Sequence, residues 1–371
     1  MDRQYSLDVL RGGAAICVAY SHLILKLSAD GYSDSLSNAL FALTKTALDV
    51  GKSSVLILFA LSGYFILHSL QRSKTKYERP VLSFVSQRFF RLYPLYWMSL
   101  VLGVMFPWDD PSRIFSADII AINATMLQGF FLKENVLGLY WTLQIEICFY
   151  VMCIALFVLR IGSTPKQSFI LLAALYSFTL VMAYFRYRFE IKLPVALPLM
   201  LSVCFLAAFW KCSSHGKNLE WKRYIVSSIV LFYLLLLPIC LLSYSRDTGF
   251  HETWYRYYIS YSVGFTVFLW ATSVSGKTLQ SLASLGGLGY IIFLTHPSIY
   301  AFAQYVGFHP SQVDIPASAY IILMLIVVVS ISAIVKSTVS DPILKYGNKI
   351  TERLARKRSG NIDSVLSGTG S

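Results

Sequence analysis

Residues 7–27 read LDVLRGGAAICVAYSHLILKL, an apolar stretch long enough to cross a bilayer that nevertheless carries Arg11 and His22. Ionisable side chains inside a membrane helix are costly unless they are paired or hydrated, so they are candidates for function. The two residues are eleven positions apart. At about 100° per residue they share one helix face and lie roughly 16 Å apart along the axis. One face therefore presents a cation towards one membrane surface and an imidazole towards the other.

The composition predicts an all-α membrane protein. The chain has 371 residues, of which 56% are hydrophobic and 14% charged, unlike an average soluble domain. Its net charge of +13 lies mostly in short connections between apolar spans, which excludes nucleic acid as the expected partner and favours the lipid bilayer. The six cysteines show no zinc-ligand spacing, so no metal site is expected.

Ten apolar stretches have the length of a membrane span. They lie near residues 7–27, 48–71, 88–106, 139–160, 168–185, 194–210, 224–243, 256–274, 285–304 and 317–337. With the N-terminus inside, 21 lysines and arginines of the connections fall on the cytoplasmic side against nine outside, so both termini are predicted to be cytoplasmic. An eleventh crossing at 117–132 would reverse this excess, so that segment is interpreted as interfacial or re-entrant. Residues 1–343 are predicted to form one transmembrane domain and residues 344–371 a basic, disordered cytoplasmic tail.

Polar residues recur inside several other spans. Ser62 either permits close helix packing, like Gly63, or lines a ligand pocket. Arg88 and Arg91 share a helix face, and their guanidinium groups either anchor the helix at the cytoplasmic surface or bind phosphate oxygens. The stretches 141–150 and 289–297 carry further candidate functional residues.

Glu146 and Tyr150 are an i, i+4 pair that can hydrogen-bond within the helix beginning near Trp141. The carboxylate either orients a catalytic group or forms a structural salt bridge, and both interpretations predict that it points into the bundle. His296 precedes a proline, where it either bonds at a helix end or contributes to a pocket.

Taken together, these segments resemble the acyltransferase-3 family of bacterial integral membrane proteins, in its stand-alone form without a hydrolase-like domain. The resemblance includes the family's arginine, ten intervening residues and histidine, as Arg11 and His22, after a Leu-Asp-x-Leu-Arg-Gly run. One departure is Thr142-Leu143-Gln144-Ile145 where Ser-Leu-x-Val is more common. The resemblance continues through residues 59–63, 88–97, 141–150, 289–297 and 341–342.

The resemblance implies an O-acyltransferase of the bacterial inner membrane that moves an acyl group, expected to be acetyl, from cytoplasmic acyl-CoA to a hydroxyl of an extracytoplasmic polysaccharide, lipopolysaccharide or lipid-linked glycan. The expected catalytic residues are His22, Arg11 and Glu146, with His22 as general base or as the site of an acyl-histidine intermediate. Arg11, Arg88 and Arg91 are expected to bind the coenzyme. The remaining pocket residues are expected to be Asp8, Ser62, Tyr150, Trp141 and His296.

Two other functions stay open at this point. A proton-coupled transporter or flippase would use Arg11, His22 and Glu146 as a relay. A purely structural membrane subunit would explain the spans but not the aligned ionisable residues. A homodimer is also among the alternatives.

Overall fold

A computed structural model describes residues 4–110, 112–162, 164–215, 219–246, 253–274 and 276–356. This part of the chain is helical and contains no β-strand. The helices, in chain order, are α1 (Tyr5–Ala29), α2 (Ser35–Thr46), α3 (Val50–Lys76), α4 (Pro80–Met105), α5 (Ala117–Asn123), α6 (Trp141–Leu159), α7 (Pro165–Phe189), α8 (Ala196–His215), α9 (Leu219–Tyr244), α10 (Trp254–Ser273), α11 (Gly289–Tyr305), α12 (Pro310–Val313), α13 (Ala317–Val335) and α14 (Asp341–Ala355).

The prediction of an all-α membrane bundle is confirmed, although its count of ten spans is not. Within the described residues, seven helices are long and apolar enough to cross a membrane. An eighth candidate is a pair of helices, Thr278–Gly287 and Gly289–Tyr305, that are bent by 55° relative to each other. Helices α4 and α10 have 26 and 20 residues but are too polar to meet the same test. The number of crossings and the side on which each terminus lies stay predictions.

Helix α3 is the centre of the bundle and packs against α1, α8 and α10. Two glycines allow the closest approaches. A Cβ atom on Gly63 would lie 1.9 Å from the carbonyl oxygen of Cys204 on α8, and one on Gly264 of α10 would lie 2.6 Å from the carbonyl oxygen of Ser53. Gly63, which the sequence associates with close helix packing, therefore lets the backbones of α3 and α8 come into direct contact.

Helix α1 packs along α11 and along the 3₁₀ segment Lys277–Gly287 that precedes it. A Cβ atom on Gly12 would lie 2.6 Å from the Cβ of Leu285, so the glycine next to Arg11 lets this segment approach α1 closely. The contact fixes the half of α1 that carries Arg11 against the start of α11.

Residues 117–132 hold only the seven-residue helix α5 and the short 3₁₀ helix Gln128–Phe131. At 1.5 Å per residue α5 is about 10 Å long, far less than the hydrocarbon thickness. The segment is tied to α4, since the hydroxyl of Tyr96 donates to the carbonyl of Asn123 at 2.6 Å. No helix within this stretch is long enough to cross the membrane, which agrees with the interfacial or re-entrant interpretation, and its position relative to the bilayer stays a prediction.

The predicted disordered tail from residue 344 is wrong for residues 344–356. Helix α14 continues from α13 through a π-helical turn, Lys336–Ser340, and packs on α4. Its buried residues, Gly347, Thr351 and Ala355, recur every fourth position and form one face. The Thr351 hydroxyl lies 2.7 Å from that of Ser86. These small side chains contribute little to apolar composition, which is why composition alone misses the helix. The rest of the predicted tail, 357–371, lies outside the described residues.

Candidate active site

Two cavities lie along α1, and we name each after the α1 residue that lines it. The His22 cavity has a volume of about 730 Å³. The Arg11 cavity is much smaller, at about 90 Å³. Arg11 and His22 therefore both face the interior of the bundle, as their spacing predicted.

The two cavities meet at a shared wall. Val55, Thr142 and Phe293 line both of them, and we call these three residues the neck. The Thr142 hydroxyl donates to the carbonyl of Leu139 at 2.8 Å, which fixes its side chain. The neck thus lies between the ends of α1 that carry the cation and the imidazole.

His22 is half-buried and contacts a second histidine, His296 on α11. The Nδ1 atom of His22 lies 2.9 Å from Nε2 of His296, and Nδ1 of His296 lies 3.0 Å from the carbonyl oxygen of Ile292. A carbonyl oxygen only accepts, so Nδ1 of His296 carries a proton and donates it to Ile292. In the neutral ring Nε2 of His296 is then the acceptor, and Nδ1–H of His22 donates to it.

This order of donors leaves the lone pair of His22 on Nε2. The pair of histidines therefore selects one tautomer of His22, with the basic nitrogen on the side of the ring away from His296. Since His22 lines its cavity whereas His296 is 1% exposed, His22 is the member that can meet a ligand.

A buried ionic cluster supports the same cavity. Asp49, the N-cap of α3, accepts from the Ser21 hydroxyl at 3.1 Å and from Arg256 Nη2 at 2.6 Å. The ammonium group of Lys52 lies 3.5 Å from Asp49 Oδ2, the oxygen that accepts from Arg256. Asp49 is 2% exposed and Arg256 5%, so the pair is held inside the bundle. The cluster joins α1, α3 and α10 beside His22.

Among the residues that the structure describes, two cations and one carboxylate line the Arg11 cavity. Arg11, Arg91 and Glu146 line it together. The Tyr150 hydroxyl donates to Glu146, as the i, i+4 spacing predicted, and the carboxylate points inward. Arg11 also lies 3.9 Å from Asp8 and 5.0 Å from the ring centre of Phe65. Such a pair of guanidinium groups can bind an anion by charge-assisted hydrogen bonds.

The structure separates the two arginines that the sequence grouped. Arg91 is exposed and lines the Arg11 cavity, whereas neither cavity, as the described residues form it, includes Arg88. Arg88 donates to the Ser69 hydroxyl at 2.8 Å and lies 5.2 Å from the ring of Phe84. The three-residue spacing puts both on one side of α4, but the neighbouring helices place only Arg91 in the cavity wall.

The other predicted pocket residues divide between the two sites. Ser62 lines the Arg11 cavity, and Trp141 lines the His22 cavity. Asp8 approaches Arg11 without lining either cavity in the described structure, and His296 acts through its contact with His22. Their roles in catalysis and binding stay predictions.

Several residues of the His22 cavity have no counterpart among the sequence predictions. They are Asp49, Lys52, Arg186 and Lys192, together with the aromatic side chains of Trp108, Tyr244, Tyr257 and Tyr261. In the sequence Arg186 and Lys192 serve only to orient the spans, Lys52 lies within a predicted span, and Asp49 stands alone before α3. Among the described residues, no group of three or more histidine, cysteine, aspartate or glutamate side chains is arranged to hold a metal ion.

Comparison with known families assigns the chain. The family model for the acyltransferase domain of the acyltransferase-3 family matches residues 4–336, which is nearly all of it and includes every helix that lines the two cavities. No curated protein and no solved structure is significantly similar to the chain. The match agrees with the resemblance of the Arg11 and His22 motif. The chain therefore belongs to the acyltransferase-3 family and is a multi-pass membrane acyltransferase.

Proposed function

We propose that this acyltransferase moves an acyl group, expected to be acetyl, from cytoplasmic acyl-CoA to a hydroxyl of an extracytoplasmic glycan, in the inner membrane of a bacterium. The observation that carries this proposal is the neck, where a cavity lined by two arginines meets a cavity lined by His22. A reaction between reactants on opposite sides of a membrane requires such a junction.

The donor occupies the Arg11 cavity. Arg11 and Arg91 bind phosphate oxygens of the coenzyme, since guanidinium groups form paired hydrogen bonds with phosphate. The positive-inside orientation puts this end of α1 at the cytoplasm, where acyl-CoA is made. The narrow volume suits an extended arm that carries the thioester to the neck. Glu146, held by its bond with Tyr150, offsets part of the positive charge of the two arginines in this cavity.

The acceptor occupies the His22 cavity, with its hydroxyl near Nε2 of His22. This nitrogen takes the hydroxyl proton while the oxygen attacks the thioester carbonyl carbon. The tetrahedral intermediate collapses by breaking the carbon–sulfur bond, and the proton on His22 passes to the departing thiolate. The products are an O-acyl ester and free coenzyme A.

His296 is a positioning residue for this step. Its Nε2 atom accepts from Nδ1–H of His22, so the hydrogen bond becomes charge-assisted when His22 is protonated at Nε2. The carbonyl of Ile292 in turn prevents His296 from rotating to offer a proton to His22. The arrangement keeps the lone pair on Nε2, where it serves direct base catalysis, and the same nitrogen would carry the acyl group in the covalent variant.

The test uses the purified protein in lipid nanodiscs with radiolabelled acetyl-CoA and a bacterial surface polysaccharide. We expect the label to be in an alkali-labile ester on the glycan. We expect no label on the protein when the reaction is quenched rapidly. Label trapped on His22 would replace the direct transfer with the covalent variant. Absence of any ester, together with uptake of label when the protein is reconstituted in sealed vesicles, would overturn the proposal in favour of the transporter alternative.

A further inference from the structure

Helix α14 carries two parallel lines of side chains outside the face that packs on α4. The first line, which we call the cationic stripe, consists of Lys345, Lys349 and Arg353. The second, which we call the apolar stripe, lies one position further along and consists of Tyr346, Ile350 and Leu354. Because residues four apart share a helix face, each set forms one line, and the two lines lie side by side.

The cations of the stripe form no ion pair within the part of the chain that the structure describes. All three are exposed, and Arg356, the C-cap of α14, adds a fourth exposed cation. The two carboxylates of the helix are engaged elsewhere, since Glu352 lies 3.8 Å from Lys76 and Asp341 lies 2.8 Å from Lys336. The outer face of α14 therefore carries an excess of positive charge.

Contacts with α4 hold α14 in place along its length. Gly347 faces the ring of Phe90, and the last turn is tied to the residues that precede α4. The backbone N–H groups of Glu78 and Arg79 donate to the two carbonyls at the end of α14, at 3.1 and 3.2 Å. The side chains of Glu78 and Arg79 have opposite charges, so this junction leaves the positive excess of the helix unchanged.

The same packing places both stripes close to the membrane boundary. The predicted span of α4 begins at residue 88, and Gly347 lies against Phe90, so the adjacent Tyr346 lies near the end of the hydrocarbon region. Tyrosine is enriched at this depth, and Tyr346 is 63% exposed. Arg353 follows Tyr346 by about 10 Å along the helix axis, a distance comparable with the Debye length of about 8–10 Å.

We propose that the cationic stripe binds the phosphate groups of anionic phospholipids while the apolar stripe lies against the boundary of their acyl chains. Basic residues directly after a span are attracted to an anionic leaflet, and a helix with cations beside an apolar line suits the interface. A soluble phosphate compound would satisfy the cations but leave the apolar stripe exposed. No described residue of α14 lines either cavity, so the proposal is independent of the acyl-transfer reaction.

The test places a photocrosslinker on the apolar stripe of the full-length protein. Tyr346→p-benzoylphenylalanine is irradiated in nanodiscs of equal parts phosphatidylglycerol and phosphatidylcholine with identical acyl chains, and mass spectrometry counts the two lipid adducts. The control is Tyr305→p-benzoylphenylalanine, at a 79% exposed tyrosine that ends α11. We expect the ratio of phosphatidylglycerol to phosphatidylcholine adducts to be at least about threefold higher at position 346. Equal ratios at the two positions would overturn the proposal.

Paired substitutions assign the preference to charge. Lys345→Gln combined with Arg353→Gln should bring the adduct ratio at position 346 close to that of the control position. Lys345→Arg combined with Arg353→Lys keeps both charges and should keep the ratio. Lys222→Gln combined with Arg223→Gln removes two exposed cations at the start of α9 and should also leave it unchanged. A preference that survives the loss of both α14 charges would refute the role of the cationic stripe.

Salt and coenzyme A distinguish a lipid headgroup from a soluble phosphate. In 0.5 M NaCl the adduct ratio at position 346 should fall towards that of the control position, since the Debye length shortens to about 4–5 Å. Millimolar coenzyme A or inorganic phosphate, added at constant ionic strength, should leave the ratio unchanged. Loss of the phosphatidylglycerol adducts on addition of coenzyme A would overturn the proposal and assign the cationic stripe to the coenzyme.

Discussion

The two cavities along α1 differ in size and in the way their charges are held. The Arg11 cavity encloses about 90 Å³ and has a single carboxylate, Glu146, among its arginines, whereas the His22 cavity encloses about 730 Å³ and has aromatic and cationic walls. A narrow site suits one extended reactant that always has the same shape. A wide site suits a branched reactant that is recognised by stacking and charge. The comparison supports the proposal that the donor is bound at the Arg11 end and that the base acts at the His22 end.

The largest expected effect is at the base. His22→Ala should lower kcat by 10² to 10⁴-fold, the range that a general base usually contributes, while the affinity for acyl-CoA changes less than twofold. Turnover and equilibrium binding of the donor, measured on the same nanodisc preparation, check this. His309→Asn, which changes a histidine outside both cavities in the described structure, is the control. If His22→Ala kept the wild-type turnover, the assignment of the catalytic base to the His22 cavity would be wrong.

A smaller loss is expected from the second histidine. His296→Phe removes the acceptor for Nδ1–H of His22 and should lower kcat about tenfold to a hundredfold with little change in KM for either substrate. The readout specific to positioning is ¹⁵N NMR of His22, which should shift from the tautomer protonated at Nδ1 to a mixture. An unchanged tautomer with a lowered kcat would mean that His296 serves packing alone.

The donor end can be tested through its arginines. Arg91→Gln should raise KM for acyl-CoA about tenfold, since one charge-assisted hydrogen bond is worth roughly 1.5–3 kcal/mol. Arg88→Gln should raise the KM for acyl-CoA no more than about threefold, because Arg88 bonds Ser69 and does not line the cavity. Lys349→Gln on α14 is the control for a lost surface charge. Equal effects of the two arginine variants would contradict the separation seen in the structure.

The neck should limit the acyl group. Phe293→Ala enlarges the wall that both cavities share and should raise the ratio of kcat/KM for butyryl-CoA over acetyl-CoA several-fold. Competition between the two donors measures the ratio directly. A similar change on replacing Phe302, an exposed phenylalanine of the same helix, would show that the neck has no selective role.

The smallest effect concerns a helix cap outside the cavities. Asp34 accepts from the backbone N–H groups of Ser37 at 2.7 Å and Ser318 at 2.7 Å, so one carboxylate caps α2 and α13 together. These bonds lower the pKa of Asp34 to about 2. Since the unfolded value is near 4, its contribution to stability is present above pH 4 and is lost as the pH falls towards 2.

Asp34→Ala should therefore cost about 1–2 kcal/mol at pH 7 and less at pH 3, measured as the shift in Tm of the detergent-solubilised protein. Asp34→Asn keeps an acceptor and should recover most of the loss at pH 7. An equal Tm shift at both pH values would exclude the charge as its source.

The sequence predicts the parts of this site that lie on one helix and fails where distant segments meet. The shared face of Arg11 and His22 and the bond between Glu146 and Tyr150 follow from helical spacing. Nothing in the sequence connects His22 with His296, which is 274 positions away, or Asp49 with Arg256, which is 207 away. Only the packing of α1 on α11 and of α3 on α10 brings them together.

Helical spacing alone is also misleading where two side chains share a helix face but have different neighbours in the bundle. Arg88 and Arg91 are equivalent by periodicity, yet Ser69 and Phe84 surround one while the other lines the cavity. The cations at Arg186 and Lys192 were visible in the sequence but served only to orient the loops, since positive charge near a span end has an ordinary topological explanation. Helix α14 was missed because its packing face consists of small residues.

The glycine contacts of α3 bear on how the two reactants meet. A carrier that exposes its centre first to one side and then to the other must shear one group of helices past another. Here the backbones of α3 and α8 touch at Gly63, and those of α3 and α10 touch at Gly264, so neither interface has room for even one methyl group. Val55 of the neck lies on this closely packed helix, and Asp49 is the N-cap at its start. In the proposed reaction the wall between the two cavities therefore stays in place, and the flexible arm of the proposed coenzyme supplies the reach across it.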